Sequence, residues 1–153
     1  MKSLTTMAKA ISTGLIILVV LAMVLFFLKP ILRDVFPPQP VEGLGIMWDA
    51  HLGKRMNFMF TMIFLSICLA GFISGFFVRV WSKKTGSRAW QSLMSGFVVG
   101  TCGSFLLLYV LVSMYPIFIL DLAVNFILGL VSALVGLLGY YVASRRYHQH
   151  ISG

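Results

Sequence analysis

SLMSGFVVGTCGSFLLLYVLVSMYPIFILDLAVNFILGLVSALVGLLGYYVAS, residues 92–144, contains a single charged side chain, Asp121. The stretch reads as two apolar helices joined by a turn at Met114-Tyr115-Pro116. Its first arm carries Ser92, Gly96, Gly100 and Ser104, an unbroken i, i+4 series that makes one smooth strip on a helix. Its second arm carries Gly129, Ser132, Gly136, Gly139 and Ala143 at 3-4-3-4 spacing. Each arm therefore offers a flat, small-residue face to a neighbouring helix. In lipid no hydrophobic force drives helices together, and close backbone approach has to do the work.

The composition agrees with a lipid environment. The chain is 59% hydrophobic and 10% charged, against roughly 45–50% and about 25% in soluble domains. The net charge of +8 then reports topology first. Nucleic-acid binding is the weaker reading, because the bases sit between apolar runs and not along one solvated face.

Outward from the hairpin, three further features complete the pattern. Ala10 to Leu28 is apolar apart from Ser12 and Thr13, long enough at about 1.5 Å per residue to cross a hydrocarbon layer of roughly 30 Å. It ends in Phe26-Phe27-Leu28-Lys29-Pro30 without a small-residue cleavage site, so it reads as a retained, lipid-facing helix and not as a signal peptide. Met56 to Val78 is a second span with two adjacent small strips, Ser66/Ala70/Ser74 and Gly71/Gly75. Between these spans lies an outer loop, 29–55. Its Phe36-Pro37-Pro38-Gln39-Pro40 segment is extended, and Leu44, Met47, Trp48 and Leu52 mark an interfacial helix over 41–53.

The expected fold is all-α: an integral membrane four-helix bundle with spans 10–28, 56–78, 93–115 and 121–144. Placing both termini and the 79–91 loop on one side gives that side eight bases, Lys2, Lys9, Arg79, Lys83, Lys84, Arg88, Arg145 and Arg146. The other side holds four, Lys29, Arg33, Lys54 and Arg55. The positive-inside rule makes the first side cytoplasmic, and the expected site is a bacterial inner (cell) membrane. Trp81 and Trp90 flank the basic loop, as rings at headgroup depth do. Arg145-Arg146 is expected to stop the fourth helix.

Gly75-Phe76-Phe77-Val78 before Lys83-Lys84 echoes Gly139-Tyr140-Tyr141-Val142 before Arg145-Arg146. The echo fits a duplicated hairpin, or simply the composition of any helix exit.

Few residues point to chemistry. Asp121, with Asn125 one turn on and Arg55 entering at the same level, would form a polar notch near the outer surface. Its plainer role is a helix cap with an ion-pair partner, its sharper one a proton or cation handle. Cys68 and Cys102 lie in apolar runs without CxxC spacing and read as small apolar fillers. No histidine lies within a span, and His148-x-His150 is a thin basis for a metal site. No Walker loop, GxSxG, HExxH or paired carboxylate is present. The expectation is a non-enzymatic protein without cofactor or metal, partnered by lipid and by other transmembrane helices. Its role would be that of an accessory, assembly or scaffolding subunit. The alternative is a small oligomeric transporter or channel with Asp121 and Asn125 near its entrance.

Overall fold

A computed structural model describes residues 2–37, 51–82, 89–112 and 122–149. These form four helices in order: α1 Lys2–Val35, α2 Leu52–Trp81, α3 Ala89–Val112 and α4 Leu122–Gln149. Three stretches, Thr5–Val35 in α1, Gly53–Trp81 in α2 and Ala123–Arg145 in α4, are long and apolar enough to cross a membrane. The chain is thus an all-helical protein with the build of a membrane protein.

The helices are longer than the apolar runs that seed them. α1 continues through Pro30 to Val35, so residues 29–35 are helical and not part of a loop. Proline at position 30 removes one backbone donor, yet the helix ends only at Val35, and the next N–H, that of Phe36, still bonds the Leu32 carbonyl at 2.9 Å. α2 starts at Leu52, before the expected 56, and α3 starts at Ala89, before 93. The expected interfacial helix over 41–53 falls mainly on residues 38–50, outside the described ones; residues 52 and 53 belong to α2. At the other end α4 runs through Arg145 and Arg146 to Gln149. The basic pair ends the apolar stretch but not the helix, because arginine is a good helix former.

α2 and α3 occupy the middle. Each packs against the other and against both α1 and α4, while α1 and α4 do not pack on one another among the described residues. A two-fold axis relating hairpin α1–α2 to hairpin α3–α4 would carry the α2–α3 contact onto an α4–α1 contact. Its absence leaves the Gly-aromatic-aromatic echo without such symmetry.

Two kinds of packing hold the bundle. Between α1, α2 and α3 the core is made of bulky side chains: Leu18, Leu25, Leu32, Met59, Ile63, Ile67, Val99 and Leu107. A smaller cluster of Ala10, Val78 and Tyr140 joins the start of α1 to the last turns of α2 and α4. Between α2, α3 and α4 the contact is nearly bare backbone, as described below. α1 is the most exposed of the apolar helices, with 24% of its most apolar window buried against 44% for α2 and 39% for α4. Its outer row of Ile16, Met23, Phe27 and Ile31 is exposed, a surface suited to acyl chains.

Candidate functional site

The seam is organised around Ser132 of α4, which is fully buried. A Cβ built on Gly71 of α2 would lie 2.7 Å from the Ser132 carbonyl oxygen, and one on Gly96 of α3 would lie 2.7 Å from the same atom. A Cβ on Gly100 would strike the Ser132 side chain and come within 3.1 Å of Gly129 Cα. One turn along, a Cβ on Gly75 would overlap the Gly136 carbonyl oxygen, and one on Gly139 the Phe72 carbonyl oxygen. Real Cβ atoms do not tolerate such distances, so glycine at these positions is what lets α2, α3 and α4 meet backbone to backbone.

Two adjacent strips on α2 serve two different neighbours. Gly71 and Gly75 face α4. Ala70 is buried in the cluster shared with α1, and Ser74 is fully buried beside the α1 residue Gly14. Ser66 is buried and donates its hydroxyl hydrogen to the Met62 carbonyl at 2.7 Å.

Serine hydroxyls stitch the seam. Ser92 Oγ donates to the Gly136 carbonyl across the α3–α4 contact at 2.8 Å. Ser132 Oγ points to the Ile67 carbonyl on α2 at 3.5 Å, a long contact. Ser95 and Ser104 bond carbonyls of their own helix, those of Ser92 and Thr101, at 3.0 and 2.8 Å. Such interhelical hydroxyl bonds contribute about 0.6 kcal/mol on average in lipid. Close packing therefore carries the seam and the hydroxyls fix its register.

One strip escaped the reading of the sequence. Ala10, Gly14, Leu18 and Ala22 recur every four residues, and all are buried. A Cβ on Gly14 would lie 2.8 Å from Val99 Cγ2, and one on Gly103 would strike Leu18 Cδ1. Each helix thus places a side chain over the other's glycine. The signal was the four-residue spacing, hidden because Leu18 is large.

Of the three residues read as a notch, Arg55 and Asn125 are described and Asp121 lies outside the described residues. Arg55 is 8% exposed, and its Nη1 donates to the Phe36 carbonyl at 2.7 Å. His51 Nδ1 meets the Pro37 carbonyl at 3.1 Å, and its ring lies edge-on to Phe36 at 6.2 Å. Arg55 therefore clasps the end of α1 to the start of α2.

Asn125 is fully buried and sits deeper. The α2–α4 register set by Gly71 and Gly75 puts it level with Phe64, about nine residues or roughly 13 Å beyond Arg55 along the helix axis. Arg55→Met is expected to lower bundle stability by about 1.5–3 kcal/mol, the range for a hydrogen bond from a charged group. The unfolding midpoint in detergent measures this, with Arg55→Lys falling between the two.

At the other end the Arg79 guanidinium carbon lies 6.0 Å from the centre of the Tyr140 ring, and Trp81 stacks on Phe77 at 4.7 Å. Arg145 is exposed on α4, and Arg146 follows it in the same helix. Lys83, Lys84 and Arg88 lie outside the described residues. Both cysteines are free thiols, and Cys102 is exposed on α3 and not a buried filler. His148 lies in α4 while His150 is outside the described residues, and no metal-ligating group of three occurs among the described residues. Comparison with protein-family models, with curated proteins and with solved structures gives no match.

Proposed function

We propose that this chain is a four-span membrane protein with both termini in the cytoplasm, in a bacterial inner membrane. It works without catalysis, as an accessory, assembly or scaffolding subunit. α3 lies antiparallel along α4, with Ser92 beside Gly136 and Gly100 beside Gly129. If α4 crosses the bilayer, the 24 residues of α3 cross with it. The excess of bases at the end where both termini meet supports the orientation.

The observation that carries the reading is the closed seam. Backbone meets backbone at Gly75 and Gly136, which fills the centre of the three-helix contact and leaves no lumen there. Work done by such a body falls to its outer faces, through contact. The small-residue strips are spent inside the bundle, so a partner helix would dock on the exposed sides of α1 and α4. Purification in mild detergent tests this. A stoichiometric second protein is expected; a pure homo-oligomer that moves ions or solutes in liposomes overturns the reading.

One observation favours the transporter alternative, the full burial of Asn125 within α4. A polar amide at that depth is a functional candidate in a membrane protein. A path past it would have to open within the bundle, beside α4, because Asn125 has no exposure on the outer surface of the chain.

A further inference from the structure

Of the described basic residues, Lys2, Lys9, Arg79, Arg145 and Arg146 lie toward the end of the bundle where α1 begins, α2 ends, α3 begins and α4 ends. Among the described residues no Asp or Glu lies at that end, Asp34 being at the far end of α1. Arg79 is held there over Tyr140. A cation–π contact orients the side chain at this end. Next to Arg79, Val80 and Trp81 are exposed, and the Trp81 ring is braced by Phe77. On α4, Leu138, Tyr141 and Arg145 are all exposed within two turns.

Positive charge and uncovered apolar side chains are therefore interleaved around one end. A soluble acidic partner would match the charge and leave the rings in water. An amphiphile matches both, with its acidic headgroup on the guanidinium groups and its chains against Trp81 and Leu138. Resting on the reading of the chain as a membrane-spanning bundle, we propose that this end selects anionic phospholipid over zwitterionic phospholipid, with Arg79 and Arg145 as headgroup contacts. Arginine suits a phosphate because its planar fork presents paired donors.

The test uses the full chain in nanodiscs of equal phosphatidylglycerol and phosphatidylcholine, extracted into mild detergent, with the retained lipids weighed by mass spectrometry. Phosphatidylglycerol is expected to be enriched over the bulk ratio. Arg145→Gln and Arg79→Gln are each expected to cut that enrichment about fivefold, the effect of roughly 1 kcal/mol per base at an anionic surface. Lys54→Gln, at the opposite end, should leave it unchanged. Arg145 is exposed, so its variant keeps the test valid if Arg79→Gln fails to fold. Retention at the bulk ratio overturns the proposal. So does an equal loss in Lys54→Gln, or displacement of the lipid by soluble polyglutamate, which would mark a protein-binding surface instead. Failure of the chain to enter the discs at all would overturn the membrane-spanning reading itself, and this inference with it.

Discussion

Gly75→Leu is expected to yield no folded bundle, while Leu134→Ala is expected to fold nearly as the parent does. The contrast inverts the rule for soluble cores, where removing a leucine is the damaging change. At position 75 even the first side-chain carbon overlaps the Gly136 carbonyl oxygen and would stand 2.7 Å from Ser92 Oγ. The obstruction is backbone, which cannot rotate away as a side chain does. α2 and α4 must separate, and the Ser92 hydroxyl bond to the Gly136 carbonyl is lost with the contact.

Overpacking typically costs 1–3 kcal/mol where side chains can yield. Here they cannot, and the expected loss is about 4 kcal/mol or more, in the range reserved for outright disruption. Leu134 lies on the same helix but is 64% exposed, and its truncation exchanges one apolar contact with lipid or detergent for another. Monodispersity and thermal midpoint in mild detergent separate the two outcomes. A Gly75→Leu protein that melts within a few degrees of the parent would mean that α2 and α4 do not meet here. Gly75→Ala should fall between, since it adds the offending atom and nothing beyond it.

How far the seam could be read from sequence depends on what produces it. Small residues at three- and four-residue spacing are visible in a string, and Gly71, Gly75, Gly96, Gly100, Ser132 and Gly136 sit where three helices converge. Their partners are not visible in the same way. Small strips offer a face to any neighbouring helix, and within this chain α2 uses one strip for α4 and the other for α1. Only the packing of α2 and α3 between α1 and α4 reveals that division.

Strips that mix small and large residues were also hidden. Gly14 and Gly103 are each covered by a large side chain from the other helix, Val99 and Leu18, and neither belongs to a run of glycines and serines. Helix ends were misread for a different reason. Hydropathy marks where the apolar solvent stops; α1 goes on past Lys29 although Pro30 removes one donor from its ladder, and α4 goes on past Arg145 because no helix breaker follows it. The notch set Arg55 level with Asp121 and Asn125 one turn further on; Asp121 lies outside the described residues, and the register of α2 against α4 puts Asn125 about 13 Å beyond Arg55 along the axis.

Asn125→Asp is expected to separate the two functional readings. Asn125 is fully buried, and the α3–α4 register set by Ser92 beside Gly136 and Gly100 beside Gly129 puts it level with Ser104. If the bundle is a sealed body, an acid at this depth meets neither water nor, at this level of α2 and α3, a basic residue. An uncompensated buried carboxylate costs several kcal/mol, so the variant should lose most of its folded yield. Asn125→Leu should lose less, because it removes hydrogen bonds but buries no charge.

If instead a hydrated path opens within the bundle beside Asn125, water would solvate the new carboxylate. The variant would then stay folded, and any cation flux in liposomes would rise, because an acid beside a pore concentrates positive ions. Folded yield and cation flux, read on the same two variants, give opposite patterns for the two cases. A stable, flux-competent Asn125→Asp protein would sink the sealed-subunit reading. An unstable one beside a milder Asn125→Leu would remove the one observation that favours a transport path.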